Sequence, residues 1–249
     1  MMKQVFKRTE GLKEKEFHYC GGCLHSVVHR LIGEVLEEMG LLDCTIGICP
    51  VGCAVFMYDY INTDMIEASH GRTPAVATAA KRCNPDKLVF AYQGDGDLAS
   101  IGMAEIVHAA ARGENATFIF INNGIYGMTG GQMAPTTLVG QKATTCQFGR
   151  DPKVHGMPMK MAEMLSVLDK PYYIERLAPT SPAGVNKTKA AIKKAFQYQL
   201  DGKGFQLLEI LCTCPTQWGM TPVQALSHVD EVVKQTYPLG VFKDGGEKL

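Results

Sequence analysis

The sequence predicts an α/β fold: an open, mostly parallel sheet with helices on both faces. Apolar, strand-like runs alternate with helical runs along most of the 249 residues, which is typical of parallel sheets. Two polar loops, residues 93–97 and the pair Asn122-Asn123, directly follow such strands. Because right-handed strand–helix–strand units bring the carboxyl ends of their strands to one edge, both loops are expected where open sheets bind ligands.

Apolar periodicity and glycine or proline signals give the individual elements. Pro74 suits the first turn of a helix, and Gly40 and Gly113 suit helix ends. The predicted helices are 27–39, 75–82, 99–112, 159–168, 185–200 and 221–235, and the predicted strands are 44–48, 87–92, 116–121, 172–177 and 205–211. A tail with Val241 and Phe242 follows. Without a repeat or linker, residues 1–249 are expected to form one domain.

Composition excludes several partner classes. The chain is 46% hydrophobic and 20% charged, with 25 basic and 25 acidic residues, so a nucleic acid or an anionic membrane surface is not expected as a partner. No apolar run approaches the roughly 20 residues of a membrane span. Residues 1–16 are polar and lack an export signal. We therefore expect a cytoplasmic protein.

Nine cysteines are too many for an ordinary cytoplasmic domain, and an odd number without an export signal favours metal or cluster ligation over disulfides. Cys20 and Cys23 form a Cys-x-x-Cys loop directly before the first helix, whose N-terminus suits anionic sulfur. This spacing alone leaves zinc, a redox pair and an iron–sulfur cluster equally open. The other cysteines are Cys44, Cys49, Cys53, Cys83, Cys146, Cys212 and Cys214.

The side chains of Asp95 and Asn123 are expected to lie side by side. One carboxylate, one amide oxygen and a backbone carbonyl suit a Mg²⁺ ion that already carries phosphate oxygens. Either loop alone is more typical of an ordinary turn. Together, each just past a buried strand, they indicate a site. We further expect the glycine-rich loop 124–132 to wrap a ligand and residues 133–157 to cover it.

These two loops resemble the diphosphate motif of thiamine diphosphate enzymes, in which Gly-Asp-Gly is followed, a helix and a strand later, by Asn-Asn. The resemblance implies that Mg²⁺ is bound by the side chains of Asp95 and Asn123 and by the carbonyl of Ile125. It also implies that the backbone of Gly96 and Asp97 closely approaches the diphosphate.

With the cysteines added, nearly the whole chain resembles the β subunits of 2-oxoacid:ferredoxin oxidoreductases, most closely those for branched-chain 2-oxoacids such as 2-oxoisovalerate. The motifs that carry the resemblance are Tyr19-Cys20-Gly21-Gly22-Cys23-Leu24-His25, Pro50-Val51-Gly52-Cys53, His70-Gly71-Arg72, Gly94-Asp95-Gly96-Asp97-Leu98, Asn122-Asn123, Tyr126-Gly127-Met128-Thr129-Gly130-Gly131-Gln132 and Cys214-Pro215-Thr216. Gly21 stands where the family usually has proline.

The resemblance implies one [4Fe–4S] cluster bound by Cys20, Cys23, Cys53 and Cys214, with Cys49 and Cys212 as alternatives for the last two places. Four thiolates would equally fit structural zinc. His70 is implied to lie near the cofactor and is the catalytic candidate, although a lone histidine is more often structural. The implied cofactor-contacting segments are Val51, Gly52, Cys53 and Ala54, and Gly127, Met128 and Thr129.

The implied reaction is oxidative decarboxylation of a 2-oxoacid to acyl-coenzyme A and CO₂, with reduction of ferredoxin. The implied partners are the α subunit, γ or δ subunits and ferredoxin, one of them supplying the carboxylate that activates the cofactor's pyrimidine ring. The alternatives are a 2-oxoglutarate or pyruvate enzyme of the same class, a thiamine enzyme without a cluster, and a zinc-stabilised binding module without enzymatic activity.

Overall fold

The computed structural model describes residues 7–248. The strands are β1 Thr45–Cys49, β2 Asp64–Glu67, β3 Leu88–Gly94, β4 Thr117–Asn122, β5 Ile125–Tyr126, β6 Gln132–Met133, β7 Tyr173–Leu177, β8 Gln206–Leu211, β9 Gly240–Asp244 and β10 Glu247–Lys248. Eight of them form one sheet in the order β10-β9-β7-β8-β4-β3-β1-β2, while β5 and β6 form a separate antiparallel hairpin.

The sheet is parallel from β7 through β8, β4, β3 and β1 to β2, and antiparallel only at the β9 and β10 edge. The prediction of an open, mostly parallel sheet is confirmed. Three strands at the two sides of the sheet, β2, β9 and β10, were not predicted. The four residues of β2 are largely exposed and show no apolar run, and Val241 and Phe242, predicted as a tail, lie in β9.

Helices cover both faces, as predicted. One face packs against α1 and α6 through Leu31, Ile32, Ile192 and Phe196, and the other against α2, α3 and α5 through Ala77, Ile106, Ala109 and Met161. The helices are α1 His25–Glu38, α2 Thr73–Cys83, α3 Met103–Arg112, α4 Pro152–His155, α5 Met161–Ser166, α6 Pro182–Leu200, α7 Pro215–Trp218, α8 Pro222–His228 and α9 Lys234–Thr236.

One difference from the predicted helices bears on the site. The helix expected over 99–112 begins instead with a wide π turn, Asp97–Ile101, and becomes α-helical at Met103. Between them Gly102 packs so tightly on Gly71 that a Cβ on Gly102 would lie 2.7 Å from the Gly71 carbonyl oxygen. The helix 221–235 is likewise divided by a π turn at Val229–Val233.

The loops that follow β1, β3, β4 and β8 all leave the same edge of the sheet, because these strands are parallel neighbours. This arrangement places residues 50–54, 95–97, 123–131 and 212–214 beside one another. Within residues 7–248, no helix has both the length and the apolar character needed to cross a membrane.

Candidate functional site

A cavity of about 110 Å³ lies at the carboxyl ends of β1, β3 and β4. Every residue predicted from the sequence to bind magnesium or contact the thiamine cofactor lines this cavity. None of the described lining residues comes from 133–157, and the prediction that this segment covers the site stays a prediction. The lining residues are His25, Pro50, Val51, Gly52, Cys53, Ala54, His70, Gly94, Asp95, Gly96, Asp97, Asn123, Ile125, Tyr126, Gly127, Met128 and Thr129.

Asp95 is a buried carboxyl group, only 3% exposed, without a cationic partner in the described chain. Its Oδ1 accepts a hydrogen bond from the backbone N–H of Gly96 at 2.8 Å, and its Oδ2 accepts one from Thr136 Oγ1 at 2.7 Å. Burial raises its pKa to about 6, against the smaller opposing effect of these hydrogen bonds. A buried carboxylate that lacks a protein cation suits a bound metal ion.

The loop after β4 lies directly against Asp95. The backbone N–H groups of Gly124 and Ile125 are hydrogen-bonding partners that help to lower the Asp95 pKa against the dominant effect of burial. Asn123 lines the same cavity, and its Oδ1 accepts a hydrogen bond from Ile125 N–H at 3.2 Å. The structure therefore places Asp95, Asn123 and Ile125, the three residues that the sequence motif implies as magnesium ligands, in the same cavity.

Asp97 uses its side chain inside the protein. The buried carboxylate accepts five hydrogen bonds, which join the loops after β1 and β3 to the start of α2. The donors are Val51 N at 3.4 Å, Gly71 N at 2.9 Å, Thr73 Oγ1 at 3.3 Å, Gln93 Nε2 at 2.6 Å and the ring nitrogen Nδ1 of His70. Only its backbone remains for the diphosphate contact predicted from the sequence.

His70 is held by this carboxylate and remains accessible from the cavity. Its side chain is 44% exposed, and its Nδ1 contacts Asp97 Oδ1. Because a carboxylate oxygen can only accept a hydrogen bond, the Nδ1 of His70 must donate it. A neutral His70 therefore carries its proton on Nδ1, and its Nε2 can act as a hydrogen-bond acceptor. The structure thus gives the predicted catalytic histidine a fixed orientation beside the cavity.

Two glycines keep the cavity open. A Cβ on Gly96 would lie 2.5 Å from the ring of Tyr126, which packs on this loop. A Cβ on Gly127 would lie 3.3 Å from the sulfur atoms of both Cys53 and Cys214. Glycine at these positions lets a ligand approach the backbone closely.

The four cysteines predicted to bind the cluster line a second cavity of about 230 Å³, which adjoins the first. Cys49 and Cys212 line neither cavity and are buried. All nine cysteines are free thiols. The residues around this second cavity are His18, Tyr19, Cys20, Cys23, His25, Cys53, Asn123, Gly127, Met128, Cys214, Pro215, Thr216 and Gln217.

The thiols differ in their surroundings. A hydrogen bond with Cys212 lowers the pKa of Cys23, whereas burial raises the pKa of Cys53 to about 11 and that of Cys214 to about 12. Burial also raises the pKa of Cys212 well above its usual range. Within residues 7–248, no three His, Cys, Asp or Glu side chains converge on a position that one metal ion would fill.

Three side chains that support the site are not among the residues predicted from the sequence. Thr136 bonds to Asp95, Gln93 bonds to Asp97, and His25 lines both cavities. Gln93 belongs to the polar loop 93–97, and His25 to a motif that carries the family resemblance. Their places there, close to Asp95 and Cys23, could have identified them as candidates. Thr136 lies in a segment without periodicity and became visible only in three dimensions.

A family model described as the thiamine pyrophosphate enzyme, C-terminal TPP binding domain, matches residues 49–210. The chain belongs to this family. The match runs from Cys49, the last residue of β1, to Ile210 in β8, and so includes the loops carrying Asp95 and Asn123. Cys20 and Cys23 lie outside it.

Individual relatives indicate which members of this family the chain is similar to. The chain is 44% identical over 243 residues to "Ketoisovalerate oxidoreductase subunit VorA" of Methanothermobacter marburgensis, covering 98% of this chain and 51% of that one. It is 35% identical over 202 residues to "2-oxoglutarate synthase subunit KorB" of Methanocaldococcus jannaschii, covering 81% and 70%. It is therefore related to subunits of 2-oxoacid:ferredoxin oxidoreductases, and it spans about half the length of the ketoisovalerate relative.

Solved structures agree with this fold. A 2-oxoglutarate:ferredoxin oxidoreductase from Magnetococcus marinus, with 2-oxoglutarate, coenzyme A and succinyl-CoA bound, superposes with a TM-score of 0.78 at 23% identity, covering 97% of this chain and 86% of that one. A thiamine diphosphate-dependent 4-hydroxybenzoylformate decarboxylase from Rhodococcus jostii gives 0.51 at 15% identity, covering 79% and 34%. These likenesses show the fold.

Proposed function

We propose that this chain is the thiamine diphosphate-, Mg²⁺- and [4Fe–4S]-binding subunit of a cytoplasmic 2-oxoacid:ferredoxin oxidoreductase. The reaction is oxidative decarboxylation of a branched-chain 2-oxoacid to an acyl-coenzyme A and CO₂, with reduction of ferredoxin. The observation that carries the proposal is the pair of adjoining cavities, one lined by the thiamine motif and the other by four cysteines.

The donor set fits a magnesium-bound diphosphate. Asp95 is a buried acid without a protein cation, and a divalent ion would compensate its charge. Asn123 and the carbonyl of Ile125 would complete the protein ligands, leaving positions for diphosphate oxygens and water. Close packing at Gly96 and Gly127 supports backbone approach to the cofactor.

The second cavity fits a cluster bound by Cys20, Cys23, Cys53 and Cys214, because all four line it. Cys49 and Cys212 are buried outside the cavity, which favours Cys53 and Cys214 over them. Four thiolates are the usual ligands of a [4Fe–4S] cluster. Its position beside the thiamine cavity supports a role in removing electrons from the reaction.

The bound thiamine diphosphate supplies the nucleophilic carbon and the electron sink needed for decarboxylation. The chain's own residues bind and orient the reactants. Asp95 and Asn123 hold the metal, and the loops around Val51 and Met128 form the walls that exclude water. His70, fixed by Asp97, lines the cavity and offers Nε2 as a proton acceptor.

Other subunits are part of this proposal. The acidic side chains that line the thiamine cavity are Asp95 and Asp97, and both have structural or metal-binding contacts. We therefore place the carboxylate that activates the pyrimidine ring on a partner subunit. The chain alone is expected to be inactive and to require its α subunit, γ or δ subunits and ferredoxin.

The lining of the thiamine cavity supports a branched-chain substrate. Besides being predicted cofactor contacts, Val51, Ala54 and Met128 give the cavity apolar surface, which also suits an aliphatic 2-oxoacid side chain. The relationship to a subunit named for ketoisovalerate agrees with this choice, while the relationship to a subunit named for 2-oxoglutarate keeps that substrate as the second candidate.

The test is viologen reduction by the native complex, purified without oxygen, with 2-oxoisovalerate, 2-oxoglutarate and pyruvate at equal concentrations. We expect coenzyme A-dependent reduction, fastest with 2-oxoisovalerate, and no turnover by the isolated chain. A preference for 2-oxoglutarate would overturn the substrate assignment alone. Failure of all three, with thiamine diphosphate bound but no iron, would favour a thiamine enzyme without a cluster.

A further inference from the structure

His25 belongs to the wall between the two cavities. It is the first residue of α1, two positions after Cys23, and it is only 3% exposed. The wall also contains Cys53, Asn123, Gly127 and Met128, which line both cavities with it. Among these shared residues, His25 alone carries a ring nitrogen that can donate a hydrogen bond.

The neighbours of His25 fix its orientation. Its Nδ1 lies 2.7 Å from Tyr92 Oη, and its ring is stacked on Tyr19 with the centroids 5.0 Å apart. Tyr92 is fully buried, and burial raises its pKa, so its hydroxyl keeps its proton. In the described chain this hydroxyl has no other hydrogen-bond acceptor, so it donates to His25 Nδ1.

The position of the His25 proton follows from this bond. An Nδ1 that accepts a hydrogen bond carries no proton, and a neutral imidazole then carries its proton on Nε2. Within residues 7–248, Nε2 has no hydrogen-bond partner, although the ring lines both cavities. The nearly buried His25 ring therefore carries an N–H donor without a protein partner, at the junction of the two cavities.

We propose that His25, oriented by Tyr92, donates a hydrogen bond to sulfur of the iron–sulfur cluster and raises the reduction potential of that cluster. The inference rests on the proposed function. Hydrogen bonds to cluster sulfurs favour the reduced state because that state carries one more negative charge. Tyr92 is then a positioning residue, since it determines which nitrogen of His25 carries the proton.

The experiment measures the midpoint potential of the cluster in the native complex by potentiometric titration followed by electron paramagnetic resonance. The variants are His25→Leu, His25→Gln and Tyr92→Phe. Iron is counted first in each protein. Tyr198→Phe is the matched control, because it removes a hydroxyl that contacts Asp244 at 2.9 Å and lines neither cavity.

We expect His25→Leu to make the reduced cluster at least tenfold less favourable, a shift of about 59 mV to more negative potential for a one-electron couple. Tyr92→Phe should also make the cluster potential more negative, because His25 loses the hydrogen-bond donor that keeps its own proton on Nε2. His25→Gln keeps an N–H donor and should restore most of the wild-type potential, and Tyr198→Phe should not change it.

Wild-type potentials in both His25→Leu and Tyr92→Phe, with four irons retained, would overturn the inference and leave the proposed function intact. If His25→Leu loses iron, the conservative Tyr92→Phe variant decides the question, and an unchanged potential there overturns the inference. Absence of iron from the wild-type complex would instead overturn the cluster assignment itself.

Discussion

Gln93 donates from Nε2 to Asp97 Oδ2 at 2.6 Å, while its own Oε1 is buried without a hydrogen-bond partner. An amide can rotate to exchange its nitrogen and oxygen in the same space. Gln93 is therefore able to accept a hydrogen bond from residue 97 if that residue gains an N–H donor. Asp97 Oδ1 accepts hydrogen bonds from His70, Gly71 and Val51, so the atom at this position must remain an acceptor.

This geometry predicts losses of different size for two substitutions of Asp97. Asp97→Asn keeps an oxygen toward His70 and places its nitrogen toward Gln93, so we expect a loss of about 1 kcal/mol or less in the free energy of unfolding. Asp97→Ala leaves the buried donors unpaired and should cost about 3 kcal/mol. Urea denaturation of the purified chain measures both, with Thr73→Val as a control that removes one weaker bond of 3.3 Å. Equal losses of unfolding free energy in the two Asp97 variants would contradict the proposed rotation of the Gln93 side-chain amide.

The sequence was sufficient for the central strands of the sheet and for the loops that line the cavity, and the reasons are physical. Leu88–Gly94 and Thr117–Asn122 are buried strands, and their apolar runs are visible without coordinates. Loops that follow neighbouring parallel strands must meet, so Asp95 and Asn123 could be paired from the sequence.

What could not be predicted depends on contacts between distant segments. The bond from Thr136 to Asp95 spans 41 positions and has no local pattern. Asp97 begins the π turn Asp97–Ile101, which standard helical periodicity does not reveal. The strand Gly240–Asp244 is held by pairing with β7 and by contacts such as that between Phe242 and Arg176.

The packing of Tyr126 on Gly96 predicts that a methyl group at residue 96 weakens cofactor binding and lowers stability. Gly96→Ala would place a Cβ 2.5 Å from the Tyr126 ring, so the ring must move and the wall of the thiamine cavity with it. We expect at least tenfold weaker binding of thiamine diphosphate and a loss of about 1–3 kcal/mol in stability. In Gly94→Ala, the matched control, the added Cβ meets nothing within 4 Å, and stability should change little. Equal stability losses would contradict the account of this contact.

The two cavities predict which cysteines are needed for the cluster. Cys214→Ser removes a thiol that lines the second cavity, so we expect most of the iron and acid-labile sulfide to be lost. Cys212→Ser changes a neighbouring buried thiol that does not line it, and the iron content should remain near wild type. Iron and sulfide are measured on proteins purified without oxygen. Iron loss in Cys212→Ser and retention in Cys214→Ser would exchange the two assignments.

The Asp95 carboxyl predicts a pH dependence of cofactor binding. Burial raises its pKa to about 6, above the ordinary value of 3.8, so the folded, metal-free chain takes up a proton as the pH falls through 6. Because Mg²⁺ requires the ionised carboxylate, the affinity for magnesium-bound thiamine diphosphate should fall roughly tenfold per pH unit below 6.

The stability of the metal-free chain should change in the opposite direction. The folded state binds more protons than the unfolded state between about pH 4 and pH 6, so the free energy of unfolding contributed by Asp95 rises as the pH falls across that range. Asp95→Asn cannot titrate and should lack this contribution. Denaturation curves at a series of pH values, compared with that variant, measure it. A pH dependence shared by both proteins would show that other groups cause it.

The central claim is that Asp95 and Asn123 together bind a magnesium-bound diphosphate, and calorimetric titration with thiamine diphosphate tests it most directly. We expect binding to the wild-type chain in the presence of Mg²⁺, loss of binding on chelation with EDTA, and at least a hundredfold weaker binding by both Asp95→Ala and Asn123→Ala. Thiamine diphosphate binding that is independent of Mg²⁺, or unchanged in both variants, would contradict the account.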